Sequence, residues 1–313
     1  MTRAGDLVVA DPVLGYGDPA YVASLVHQGT PLQLPRSGAW LLERPIEGCG
    51  LRDAVGPYPL LTCRDADAFA ADLDELADGL VSVTAVVDPM GDWTSEQIAR
   101  AFPDVVRPFK EHFVTDLSRP VEEVATKHHR RDARRGLRRV TIEANVEPRA
   151  WLDDWVGLYD GLIERHDIEG PSRFPRESFE RLAQVPGLVA HRASIAGRTV
   201  GMQLWLLRGP VAAYHLAATN AEGYDEGAAY ALMWHALEDL SARGVVALAH
   251  MGAGAGLEAD AADGLTHFKR GWSTSTRTAW MGGRVLDRSA YDRLCKEREE
   301  GVSFFPAYRA PRG

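Results

Sequence analysis

Hydrophobic and polar positions follow two rhythms along this chain. Between residues 188 and 219 there are three apolar runs, 188–195, 199–207 and 211–219, parted only by Ala196-Gly197-Arg198 and Arg208-Gly209-Pro210. Runs of strand length joined by short glycine turns predict an antiparallel meander. Around them the period changes to that of a helix. Residues 148–165 carry Trp151, Leu152, Trp155, Leu158, Tyr159 and Leu162 at helical spacing, which predicts a helix whose aromatic side chains belong to the core. A shorter helix is expected at 176–183. The connection 220–227 then enters a long helix over 228–242, which Gly244 ends. A strand at 245–251, a glycine-rich loop and a last strand at 274–281 complete this half.

The first half is less regular. Prolines and glycines crowd residues 1–57, which read as an irregular lead-in with short elements. An alanine-rich amphipathic helix is expected at 65–78, stopped by Gly79, and a β-branched strand at 80–87, closed by Asp88-Pro89. A helix near 95–101 and a strand near 111–117 follow. Ser118 is the expected N-cap and Pro120 the first residue of the helix beyond it.

That next helix changes the picture. Residues 127–139 hold seven Lys or Arg and one acid, Asp132. The segment carries +6 in a chain of net charge −9, leaving −15 for the rest. At about 100° per residue, Lys127, Arg130, Arg131, Arg134, Arg135, Arg138 and Arg139 fan over one half of a helix, with Ala133 and Leu137 on the other. Like charges at i,i+4 repel, so local helix energetics do not account for the arrangement. A polyanion does: the phosphates of a nucleotide, of coenzyme A or of RNA. The other reading is a solvated face paired with acids elsewhere.

Composition excludes several classes. With 45% hydrophobic and 25% charged residues the chain can bury a full core. No apolar run is long enough to span a bilayer, and the first residues lack the pattern of a signal peptide, so a cytoplasmic protein is expected. Cys49, Cys63 and Cys295 are too scattered for a disulfide framework or a metal clamp, and no metal site is expected. There is no GxxxxGK[ST] loop, HExxH pair or GxSxG elbow. The glycines of 252–256 follow an apolar strand, but the acidic stretch after them does not open a helix as a dinucleotide site requires.

Meander, glycine-containing turn, helix, strand, loop and strand is the order of the GCN5-related N-acetyltransferase (GNAT) fold. The chain resembles one branch of it, the Fem-type aminoacyltransferases. Lys127-His128-His129-Arg130-Arg131-Asp132-Ala133-Arg134-Arg135 is similar to that family's basic helix, which follows an Asp-Leu-Ser strand end as Asp116-Leu117-Ser118 does here. Asn220-Ala221-Glu222-Gly223-Tyr224 resembles its loop before the central helix, and Leu265-Thr266-His267-Phe268-Lys269-Arg270-Gly271-Trp272 its Phe-Lys-x-Gly-aromatic signature. The resemblance covers roughly residues 60–290. It implies an α/β protein with a mixed sheet and tandem GNAT-like domains: a reduced copy at 1–147 ending in the basic helix, a catalytic copy at 148–290, and a tail at 291–313.

It also implies chemistry. Acyl donors of the fold lie where two central parallel strands, here expected at 211–218 and 245–251, splay apart. In acetyl-CoA users the following loop holds the pyrophosphate on backbone N–H groups at a helix start. Gly227 and Ala229 keep part of that pattern, but Asp225 and Glu226 bring negative charge to it. The resemblance therefore points to an aminoacyl-tRNA donor, with acyl-CoA as the alternative, a small-molecule or cell-wall amine as acceptor, and no tightly bound cofactor. Lys269, after Phe268, would stabilise the oxyanion of the tetrahedral intermediate. His215 and His250 are candidates for a general base. Lys127, Arg130, Arg131, Arg134, Arg138, Tyr224 and Gly227 would bind the donor, Arg130, Arg134 and Arg138 above all. Asp260 and Asp263 are candidates to hold a cationic acceptor amine. A non-catalytic member that only binds a ligand is the third reading.

Overall fold

A computed structural model of the chain describes residues 15–76, 79–244, 246–254, 264–296 and 304–310. In chain order, α1 (Pro19–Ala23) precedes β1 (Thr30–Leu34), β2 (Ala39–Pro45), β3 (Arg52–Val55), α2 (Ala66–Glu75), β4 (Leu80–Val87), α3 (Ser95–Ala101) and β5 (Val105–Asp116). Next come α4 (Val121–Val124), α5 (Lys127–Gly136), β6 (Thr141–Asn145), α6 (Leu152–His166) and α7 (Arg176–Leu182). The remainder is β7 (Leu188–Ile195), β8 (Arg198–Arg208), β9 (Val211–Thr219), α8 (Ala221–Asp225), α9 (Ala228–Ala242), β10 (Leu248–Ala253), α10 (Gly264–Arg270), β11 (Ser275–Val285) and α11 (Arg288–Cys295). The protein is mixed α/β, with parallel and antiparallel strand pairs.

The chain forms two compact units, one of residues 1–20 and 111–277, the other of 21–110 and 278–313. This differs from the expected division near residue 147. The chain passes from one unit to the other within α1, within β5 and within β11, so each unit is assembled from segments distant in sequence. The basic helix α5 consequently lies in the same unit as the meander.

In that first unit β7, β8 and β9 pair antiparallel, as the turn spacing requires, and β6 adds to the edge of β7. β8 is buried continuously from Val200 to Leu207 because both of its faces are covered. Helix α9 packs across β6, β7 and β8, burying Ala228, Ala231, Leu232, Ala236, Leu237 and Leu240. The aromatics of α6 are core, as expected: Trp155 and Tyr159 pack on Phe179 of α7 with ring centroids 5.6 and 5.0 Å apart.

In the other unit the proline- and glycine-rich lead-in contains a sheet rather than irregular chain: β1, β2 and β3 are an antiparallel meander, and β3 pairs parallel with β4. Asp65 caps α2, its side chain accepting from the N–H groups of Asp67 and Ala68. The C-terminal residues are not a loose tail. α11 packs on β4, and Arg309 and Tyr308 both donate to fully buried Asp53, at 2.9 and 3.1 Å. Arg44 completes the neutralisation of that carboxylate from the other side at 3.0 Å.

Candidate active site

In the first unit β9 and β10 pair parallel over a short stretch. Leu248, Ala249 and His250 pair with Val211, Ala212 and Ala213, and there the pairing ends. Two irregularities mark the split. Along β9, Tyr214 pairs with Trp205 and Leu216 with Leu204, so His215 is an extra residue in the ladder. Along β10, His250 pairs with Val114 and Gly252 with Phe113, so Met251 is the extra one. A bulge in each strand turns the two apart and leaves backbone without a neighbour on the inner side. This is the splay that the resemblance implies for the acyl donor.

Lys269 reaches this region from α10. Its stem is buried, its Nζ donates to the Ala253 carbonyl at 2.6 Å, and it lies 5.7 Å over the Tyr214 ring. Gly252, at φ +70°, sits where any other side chain would be strained, and a Cβ there would touch that Nζ at 3.4 Å. Lys269 is thus a cation fixed at the end of β10 rather than a surface lysine.

His250 and His215 do not have the surroundings of a general base. His250 is buried and stacks on His112, with Nε2 and the His112 Nδ1 2.8 Å apart. Burial, together with the charges of Arg208, Lys269 and Arg277, pushes its pKa down to about 3. Burial alone pushes His215 down to about 3; its ring packs edge-on against Tyr16 and Phe174 and both nitrogens are shielded from solvent. Imidazoles this weakly basic take little part in proton transfer at neutral pH.

The basic segment is organised differently from the expected single helix. Ser118 does not cap it. A four-residue helix, α4, comes first, Ala125 breaks it with extended backbone, and Thr126 caps α5 by accepting from the His129 N–H. Lys127, His128, Arg130, Arg131, Arg134 and Arg138 line one open hollow of about 640 Å³. Among the described residues, the side chains of Lys127, Arg134 and Arg138 have no hydrogen-bond or ion-pair partner. Arg130 is partly committed, donating to the carbonyls of Glu122 and Ala125 at 2.6 and 3.0 Å, and Arg131 pairs with Asp132 at 2.9 Å. Arg135 and Arg139 turn the other way, toward the Asp225 carbonyl and the Glu226 carboxylate.

The inner face of α5 consists of His129, Ala133 and Gly136, all buried. Gly136 meets the start of α9, where an added Cβ would lie 2.5 Å from the Gly227 carbonyl oxygen. Gly227 itself sits at φ +75°, which a glycine tolerates without strain, and opens α9 with no side-chain cap. Before it, the N–H groups of Gly223, Tyr224, Glu226 and Gly227 are all bonded within the α8 turn. The loop expected to resemble a pyrophosphate cradle has therefore turned most of its donors inward. Tyr224 stands 73% exposed on this turn.

His129 escaped the sequence reading. Its only signal was the i, i+4, i+7 spacing of His129, Ala133 and Gly136, a helix stripe opposite the charge. Asp260 and Asp263 lie outside the described residues, as does most of the loop that follows Gly254.

Residues 125–270, which hold α5, the splayed strands and α10, match the family described as an acetyltransferase (GNAT) domain. Over this segment, 146 of the 313 residues, the chain is similar to a GNAT acetyltransferase domain. Among solved structures it is similar to FemX, with a TM-score of 0.66 at 12% identity over 92% of this chain and 95% of that one. It is similar also to L-PGS from Bacillus licheniformis, with a TM-score of 0.55 at 14% identity over 88% and 94%. At such identities the likeness is one of fold. No curated protein matches the sequence. Among the described residues no helix is long and apolar enough to cross a membrane.

Proposed function

We propose that this protein is a GNAT-type acyltransferase that transfers an aminoacyl group from aminoacyl-tRNA to the amine of a small molecule or cell-wall precursor. The observation that carries the reading is the open hollow on α5, where the Lys127, Arg134 and Arg138 side chains are unpartnered among the described residues of an otherwise acidic chain. A solvated face would pair these cations with some of the 44 acids available. Lys127 and Arg134 are separated by about 10 Å along the helix axis, and Arg138 extends the row, a length better matched to several phosphates of an RNA strand than to one pyrophosphate.

In the reaction the amine nitrogen attacks the ester carbonyl, the carbonyl oxygen takes up negative charge, and collapse expels the ribose oxygen. The proton lost by nitrogen ends on that oxygen, giving an amide and RNA with a free hydroxyl. Lys269 is the cation poised for the oxyanion, and Lys269→Ala is expected to lower the rate on the order of a hundredfold. With His215 and His250 held neutral and weakly basic, the acceptor amine must arrive unprotonated or lose its proton through water or the leaving oxygen.

One feature favours the second reading, acyl-CoA as donor: the first N–H groups of α9, after Gly227, have no side-chain cap and are the orphan donors of a helix start. The deciding experiment incubates the protein and candidate amines with charged tRNA or with acyl-CoA and looks for amide by mass spectrometry. Product from charged tRNA, abolished by ribonuclease, supports the proposal. Product from acyl-CoA alone, indifferent to ribonuclease, overturns it, and no product from either donor favours a binding protein.

A further inference from the structure

Three contacts join the start of α5 to the end of α10, and His129 is at the centre of them. Its side chain is 1% exposed. Nε2 lies 3.0 Å from the Phe268 carbonyl, and because a carbonyl only accepts, Nε2 must carry the hydrogen. Nδ1 lies 2.8 Å from the Thr126 hydroxyl, which donates to it in the neutral ring. Burial pushes the His129 pKa down, consistent with a neutral imidazole. The Thr126 N–H, one residue before α5, donates to the Gly271 carbonyl at 2.9 Å. Gly271 can be nothing larger: a Cβ there would lie 2.0 to 2.4 Å from three atoms of the His129 ring. Trp272 and Tyr230 close the ring in, edge-on, at 5.1 and 5.2 Å.

The carbonyl that His129 holds belongs to the residue immediately before Lys269. We infer that His129 is a positioning residue for Lys269: it fixes the last turn of α10 against the basic helix and thereby sets where the ammonium stands at the end of β10. The glycine of the Phe-Lys-x-Gly segment then has a physical reason, since it is the space into which the imidazole fits. The inference rests on the reading of Lys269 as the oxyanion-stabilising group, but its placement of the lysine can be measured without any donor.

The chain has four lysines, Lys110, Lys127, Lys269 and Lys296, so an amine-acetylating reagent followed by peptide mass spectrometry reads each one separately. His129→Phe keeps the ring volume and removes both hydrogen bonds, whereas His129→Gln keeps an N–H donor for the Phe268 carbonyl. For His129→Phe we expect labelling of Lys269 to accelerate about tenfold relative to the other three, the change that loss of one or two net hydrogen bonds allows. His129→Gln should restore a rate near that of the unaltered protein. With an active donor in hand, His129→Phe should lower kcat while leaving the donor KM unchanged, and His129→Gln should recover most of the loss. Should His129→Phe not fold, Thr126→Val, which removes the hydroxyl that donates to Nδ1 together with the cap it gives α5, takes its place with the same sign and a smaller rise. Unchanged Lys269 labelling in a folded variant overturns the inference. So does a rise shared equally by Lys110, which would mean that the whole fold has loosened. Failure of every donor to give product would count against the proposed function and leave the labelling result standing.

Discussion

Helix α5 has two faces drawn from the same short stretch, and they treat basic groups in opposite ways. Outward, Lys127, Arg134 and Arg138 stand in solvent around an open hollow without a partner among the described residues. Inward, His129 is buried, bonded through both nitrogens and held neutral, between small residues that allow α9 and α10 to approach within contact. The same contrast extends through the unit, where His215 and His250 are discharged by burial. On α5 positive charge is thus kept to the outer face, Lys269 is a cation of the interior, and the buried imidazoles serve packing and hydrogen bonding. Being basic is no guide to being catalytic here. Placement decides it.

The inner face should be the easier to break. Gly271→Ala puts a methyl group inside the His129 ring, which has no free volume to retreat into. Overpacking with loss of the two hydrogen bonds should destabilise the protein by about 3 kcal/mol or more, measured by denaturant unfolding; a loss below about 1 kcal/mol would show that the joint is soft. Acid tests the same face without mutation. His215 and His250 have folded pKa values near 3, below the unfolded value near 6.5, so the unfolded chain binds two more protons as pH falls. Their contribution is therefore full above pH 6.5 and is lost progressively toward pH 3. Between pH 6.5 and 5 the two together should cost about 3 kcal/mol, and His129 acts in the same direction. A flat stability profile over that range would mean that these rings are not held neutral.

The contrast also marks what could be read in advance. β4, α3, β7, β9 and α9 fall on their expected residues, because each is an unbroken run bounded by glycine, proline or a capping residue. β1 to β3 were hidden because strands of four to seven residues leave little period to detect among so many prolines and glycines. The interleaved units were hidden because crossing within α1, β5 and β11 leaves no linker in the sequence. At the site, the outer face of α5 was legible since charge density needs no partner to be seen. The inner face was not. The need for glycine at 271 is set by a ring 142 positions earlier, and the commitment of Arg130 to the α4 carbonyls depends on a helix break at Ala125.

The outer face is sharpened by removing its charge. Lys127→Gln, Arg134→Gln and Arg138→Gln in one protein should leave stability unchanged, since none has a partner to lose among the described residues. If three RNA phosphates meet these side chains, the slope of log affinity against log salt should fall by about 2, with affinity for charged tRNA dropping some tens of times near physiological salt. An unchanged slope would reduce the hollow to solvated surface. Arg135→Gln serves as the comparison: its guanidinium turns toward the Asp225 carbonyl, so its loss should matter less.

The smallest effect tests the boundary between the two faces, where Arg139 meets Glu226 at 2.8 Å beside the start of α9. Both side chains are substantially exposed, so the pair adds little to stability, and Glu226→Gln should leave the unfolding midpoint where it was. Its effect should fall on the donor instead. With RNA lying across α5, releasing Arg139 offers one more cation, and the salt slope should steepen by about 0.7 with a few-fold gain in affinity. With a pyrophosphate seated at the first amides of α9, removing the carboxylate relieves repulsion at that one spot, and acyl-CoA should be the ligand that gains. Titrating Glu226→Gln with both donors therefore assigns the anion to one face of the junction or the other. An equal response, or none, would mean that neither donor approaches Glu226 and that the acidic α8 turn has no part in choosing between them.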